Sequence, residues 1–161
     1  MNPRAIQEDY PDDMSHCYGC GRLNPDGLQL KSRRDGEEMV ARFRPKPGHT
    51  SMPGFVYGGL LASLVDCHGM AVATDAALRA RPERGIERFV TAALEVTYVH
   101  PTPLGVELEI RGKIEELGER KAVVSARILA DGVECVRGRV VGVRVPGTMS
   151  RPATGGASNP E

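Results

Sequence analysis

The chain has 161 residues, and its 21 Lys+Arg are balanced by 21 Asp+Glu, so its formal charge is zero. That length suits one domain with a real core, and 40% hydrophobic residues exclude wholesale disorder. Charge balance excludes a protein that coats nucleic acid through a bulk positive field. No apolar run reaches the roughly 18 residues of a membrane-spanning helix. The polar, acidic start MNPRAIQEDYPDDM has no apolar core of the kind a signal peptide needs, which predicts a cytoplasmic protein.

Residues 1–16 read as a flexible arm. Residues 146–161 are rich in Pro, Gly, Ser and Thr without apolar periodicity and read as a disordered tail. Residues 17–145 are then the folded domain. Within it, 27–31 and 39–44 are strand-like runs on either side of an R-R-D-G turn. A Pro/Gly loop covers 45–54. From Val56 to about Leu78 the chain is rich in Ala and Leu, free of proline and apolar nearly all round, which predicts one long buried helix. A charged loop follows at 79–88. The remainder predicts four strands, at 89–99, 106–116, 120–129 and 133–145, with Asp131-Gly132 as the strongest hairpin signal. The order β-β-α-β-β-β-β defines an α+β chain, with an antiparallel sheet wrapped around a single helix.

The four cysteines are Cys17, Cys20, Cys67 and Cys135. Cys17 and Cys20 form C-Y-G-C, which invites a zinc or redox reading. Structural zinc commonly draws its four ligands from two such pairs; no second pair follows here, and the other thiols are scattered singly. The run continues into G-R-L-N-P-D-G, which is turn chemistry. A tight turn with small free thiols is therefore expected, with no metal and no cofactor.

Gly58-Gly59 opens the long helix, where first-turn N–H groups lack intrahelical partners. With the helix dipole they suit a carbonyl oxygen that becomes negative during reaction; close packing without a ligand is the alternative. Asp66 is the one carboxylate between Glu38 and Asp75. In the middle of an apolar helix it is expected to be buried, and a carboxylate so placed suits a general base or nucleophile. A satisfied buried Asp, bonded to backbone or to Ser63, is the plainer option. Eight residues separate Gly58 from Asp66, roughly 12 Å along a helix axis. If both serve one site, the Asp comes from another copy of the chain, and a twofold dimer with adjacent helices achieves this.

The stretch Y-G-G-L-L-A-S-L-V-D resembles the H-G-G-x-x-x-x-x-x-D signature of hotdog-fold acyl-CoA thioesterases of the phenylacetate-degradation (PaaI-like) type. T-A-A-L-E-V-T-Y-V-H-P at 91–101 is similar to that family's strand, and C-Y-G-C-G-R-L-N-P-D-G-L-Q-L resembles the N-terminal lead-in of one branch. Together these span about residues 17–145. The resemblance implies a hotdog fold and hydrolysis of an acyl-CoA thioester. Coenzyme A is part of the substrate, and no other cofactor is implied. It also implies a homodimer with shared sites, which can pair further into a tetramer. Nucleic acid and membrane are not expected partners.

Carried residue by residue, the resemblance makes the Gly58 amide the donor to the thioester carbonyl and Asp66 the nucleophile or the base that activates water. Thr91 falls where a hydroxyl orients that water or the carboxylate. Ser51 occupies a loop position that helps bind the thioester, and Gly59 and Ser63 join it as substrate-binding residues. Arg79, Arg81, Arg84 and Arg88 cluster after the helix, where Arg forks suit the phosphates of coenzyme A; Arg81, Arg84 and Arg88 are the candidates taken forward. The signature His is Tyr57 here, and a phenol with a pKa near about 10 acts chiefly as a donor. That substitution keeps open a second reading, a hotdog protein that binds acyl-CoA with little or no turnover. The histidine that hydratases of this fold place after the aspartate would fall at Ala71, which disfavours hydration chemistry. His68 lies about 200° around the helix from Asp66 and reads as a packed or interface residue.

Overall fold

The computed structural model describes residues 4–145; the tail expected at 146–161 lies outside the described residues. The elements are β1 (Ser32–Asp35), β2 (Glu38–Phe43), α1 (Gly58–Ala80), β3 (Phe89–Tyr98), β4 (Leu108–Leu117), β5 (Lys121–Ala130) and β6 (Val133–Arg144). Their order matches the expected one. Asp131 and Gly132, at φ 48° and 79°, make the two-residue turn whose twist suits an antiparallel hairpin, and they set Ala130 opposite Val133.

The six strands form one antiparallel sheet in the order β1-β2-β4-β5-β6-β3. β4, β5 and β6 are a meander, and β3 returns to pair with β6, so β3 is an outer strand. Helix α1 crosses the sheet over β3, β4, β5 and β6. Its Leu60, Leu61, Leu64 and Val65 meet Ile110, Ile128, Val136 and Val140 in one buried cluster. Each such side chain contributes roughly 2 kcal/mol by leaving water. Helix and sheet approach closely where a side chain is missing: a Cβ at Gly138 would lie 2.3 Å from Val65 Cγ1. One helix enwrapped by an antiparallel sheet is the hotdog fold.

Two expectations require correction. The first strand is not at 27–31 but at Ser32–Asp35. Gln29 sits at φ 56° and its amide donates to the carbonyls of Gly21 and Asn24 at 2.7 and 2.6 Å, which breaks the extended run. The described part of the 1–16 arm is not loose either. It forms single 3-10 turns at Ile6–Glu8 and Asp12–Met14, and Ile6 and Tyr10 join a second core cluster with Val72, Ala73, Phe89 and Val124.

A buried polar chain fixes that segment. The backbone N–H of Ser32 donates to Gln7 Oε1 at 2.9 Å, and the Ser32 hydroxyl lies 2.8 Å from His68 Nδ1. His68 Nε2 is 3.1 Å from the Met39 carbonyl. A carbonyl only accepts, so Nε2 carries the proton and Nδ1 accepts from Ser32. Burial holds the His68 pKa down at about 4, so the ring is neutral. His68 is thus the packed residue expected of it.

Candidate active site

Tyr57 is the N-cap residue of α1 but offers no side-chain cap. The first-turn amides of Gly58 and Gly59 have no intrahelical partner, so this helix start presents open donors. Tyr57 is 56% exposed, and its ring is folded back along the helix. A Cβ at Gly59 would lie 2.4 Å from the phenol oxygen. Any side chain at Gly59 would displace that ring from this position. From the outer strand, Tyr98 donates its hydroxyl to the Gly58 carbonyl at 2.8 Å and pins the helix start to β3. Tyr98 was not among the anticipated site residues, although it stands inside the strand run that carried the resemblance.

Asp66 lies two turns further along α1. It is half-buried at the wall of a cavity and not enclosed as expected. The Thr91 hydroxyl of β3 donates to Asp66 Oδ1, so the two residues matched to the family's motifs do meet. The cavity, about 350 Å³, is lined by Asp66, Thr91, Arg88, Met70, Thr74 and Phe89, among others. Its chemistry is a carboxylate steered by one hydroxyl, facing an open, largely apolar space. Within one chain, Gly58 stays roughly 12 Å of helix away.

The other anticipated residues divide. Ser63 donates to the Gly59 carbonyl at 2.9 Å, within its own helix, and does not contact Asp66. Ser51 is exposed in the loop before α1, its backbone N–H bonded to the Phe55 carbonyl at 3.1 Å. Arg81 is engaged by Glu87 at 3.2 Å, and Arg84 by Glu119 at 2.7 Å. Arg79 pairs with Asp75 at 3.0 Å. The expected arginine cluster is therefore largely spent on carboxylates that stitch the loop down. Arg88 differs: it is exposed, lines the cavity with Asp66, and has no ion pair among the described residues.

A further group was missed in sequence. Cys67, directly after Asp66, meets Cys17 and Cys20, and the three sulfurs lie within 4.8 Å of one another. All three line the same cavity. No spacing rule links a C-x-x-C near the N-terminus to a single thiol on a helix; only the docking of residues 4–20 brings them together.

Residues 53–136 match the family model described as the thioesterase superfamily. The chain is 49% identical to a thioesterase superfamily protein from Shewanella loihica, with a TM-score of 0.67 over 85% of this chain and all of that one. It is 34% identical over 90 residues to an acyl-coenzyme A thioesterase, THEM4, of Xenopus laevis; that stretch is 56% of this chain and 36% of the relative. The chain thus spans about a third of the length of that curated relative. A Streptococcus mutans protein solved with acetyl-CoA shares the fold, with a TM-score of 0.60 and 17% identity over 72% of this chain and 88% of that one. This chain belongs to the thioesterase superfamily and has its hotdog fold.

Proposed function

We propose that the protein hydrolyses acyl-CoA thioesters, as the phenylacetate-degradation (PaaI-like) branch does, and that Asp66 supplies the reactive carboxylate. The observation that carries this reading is the Asp66–Thr91 pair on the wall of an open cavity. Thr91 fixes one carboxylate oxygen and leaves the other for the reaction. As a base, Asp66 takes a proton from water while the water oxygen attacks the thioester carbon. The amide of Gly58, at an uncapped helix start, holds the oxygen that becomes negative. The tetrahedral species collapses by breaking the C–S bond, and the coenzyme A sulfur leaves and takes up a proton. If Asp66 attacks directly, the same bond breaks and water then cleaves the mixed anhydride. Tyr57, in place of the family's His, is positioned as a donor beside Gly59.

Both groups serve one thioester only if a second copy contributes. β3 is an outer strand of ten residues with Val90, Leu94 and Tyr98 exposed at 43, 37 and 53%. An apolar, unpaired edge of this length is a template for another strand. A twofold partner on β3 brings its Gly58 toward this chain's Asp66, and such dimers can pair further into tetramers. Arg88 is then the cation placed to meet a phosphate of coenzyme A.

The curated relative is an acyl-CoA thioesterase, and the S. mutans neighbour holds acetyl-CoA; both support this substrate class. The test is thiol release from acetyl-, hexanoyl-, decanoyl- and phenylacetyl-CoA, alongside equilibrium binding of each. Release well above the spontaneous rate is expected for at least one. Micromolar binding without release would instead establish the acyl-CoA-binding reading that Tyr57 keeps open.

A further inference from the structure

The three thiols beside Asp66 form a cluster that thioester hydrolysis does not use. Cys17 and Cys67 Sγ are 3.7 Å apart. Two thiolates bound to one tetrahedral zinc ion at about 2.3 Å lie about 3.8 Å apart. A disulfide needs about 2.05 Å instead. The Cys17–Cys67 spacing fits two ligands of one ion and is too long for a disulfide, and Cys20 Sγ lies within 4.8 Å of both.

The surrounding backbone is built for this approach. A Cβ at Gly19 would lie 2.1 Å from Cys67 Sγ, and one at Gly21 would lie 2.4 Å from the Ser15 carbonyl oxygen and 2.5 Å from Cys17 N. Gly19 therefore lets the loop approach Cys67 on the helix, and Gly21 lets the segment fold back on its own backbone. The Gly21 amide bonds back to the Cys17 carbonyl at 2.8 Å and tightens the loop. Cys17 Sγ and Cys67 Sγ are in contact, and either thiol can donate to the other.

We propose that Cys17, Cys20 and Cys67 bind one thiophilic divalent cation, zinc, which clips the N-terminal segment to α1 at the residue after Asp66. Binding releases the protons still held by the three thiols to solvent. Three protein ligands leave the fourth tetrahedral position to be filled from the cavity that these thiols line with Asp66 and Thr91. Because the segment that carries Tyr10 and Met14 also lines this cavity, the clip sets the shape of the cavity wall. This site stands independently of the thioesterase reading.

The experiment uses the full chain purified under reducing conditions without chelator, with metal content measured by mass spectrometry. The stripped protein is then titrated with Co²⁺ and competed with Zn²⁺. One equivalent of zinc per chain is expected, with intense visible bands of tetrahedral cobalt, a near-ultraviolet thiolate charge-transfer band, and a higher melting temperature with zinc than with Mg²⁺. Cys67→Ser should abolish the charge-transfer band or weaken binding by at least about tenfold, while Cys135→Ser, in the sheet, should leave both unchanged. If Cys67→Ser does not fold, Cys17→Ser at an exposed position reads the same property. Absence of stoichiometric binding at micromolar free zinc would overturn the proposal. So would binding unaffected by the cysteine variants, or a disulfide among the three cysteines in the reduced preparation.

Discussion

The Thr91 hydroxyl on outer strand β3 donates to Oδ1 of Asp66 on the central helix, across 25 residues of sequence. That contact crosses the junction where the helix meets the sheet edge, and it aims the one carboxylate of this helix stretch into the cavity. Thr91→Val keeps the shape and removes the donor. The kcat for the best acyl-CoA should fall roughly tenfold, about 1.4 kcal/mol of barrier, with little change in melting temperature. Unchanged turnover would mean that the carboxylate is oriented by something else.

Arg88 and Arg81 should fail differently. Arg88→Ala removes from the cavity wall a cation with no ion pair among the described residues, and KM should rise about tenfold with kcat nearly constant, as for loss of a charge-assisted contact. Arg81→Ala leaves buried Glu87 short of one of its partners. It should cost roughly 1–3 kcal/mol of stability and spare KM. Steady-state kinetics and urea unfolding on both variants separate the two roles.

Much of this architecture was legible because the residues that specify it are local. The Asp131-Gly132 turn, the alternation along β4 and β6, and a proline-free apolar run are each readable within a dozen residues. Gly58, Asp66 and Thr91 carried enough of a motif to be named. What escaped depends on tertiary docking. Gln29 takes a left-handed conformation because carbonyls from the 21–24 turn need donors, and no propensity signals that. The N-terminal segment looked loose because its apolar residues are few, yet Ile6, Tyr10 and Gln7 each find a waiting partner. Cys67 looked solitary for the same reason. The loop arginines read as phosphate ligands until Glu87 and Glu119 were seen to face them.

His68 predicts an acid-labile fold. Its folded pKa, about 4, lies below the unfolded value, so lowering the pH protonates the unfolded chain first. The stability contributed by neutral His68 is full above about pH 6.5 and is lost as the pH falls toward its folded pKa. Between pH 7 and 5 this should remove about 2 kcal/mol. Urea midpoints at several pH values test it, and an NMR titration of the His68 ring identifies the group. A midpoint flat across that range would contradict the assigned burial effect.

The edge strand predicts assembly. Light scattering should give a dimer or a multiple of it. Leu94→Glu, which places a charge on exposed β3, should yield folded monomers with at least about a hundredfold lower kcat/KM, since one chain cannot supply both Gly58 and Asp66 to a thioester. A fully active monomer would refute the shared site.

The most direct measurement is kcat and melting temperature on one preparation of Asp66→Asn. Asparagine keeps the size and can still accept from Thr91, but it lacks the basic or nucleophilic oxygen. Turnover should fall by a factor on the order of 10² or more, while the melting temperature holds, because the side chain is only half-buried. A marked loss of melting temperature with turnover per folded molecule retained would show Asp66 to be a structural carboxylate and place the chemistry elsewhere.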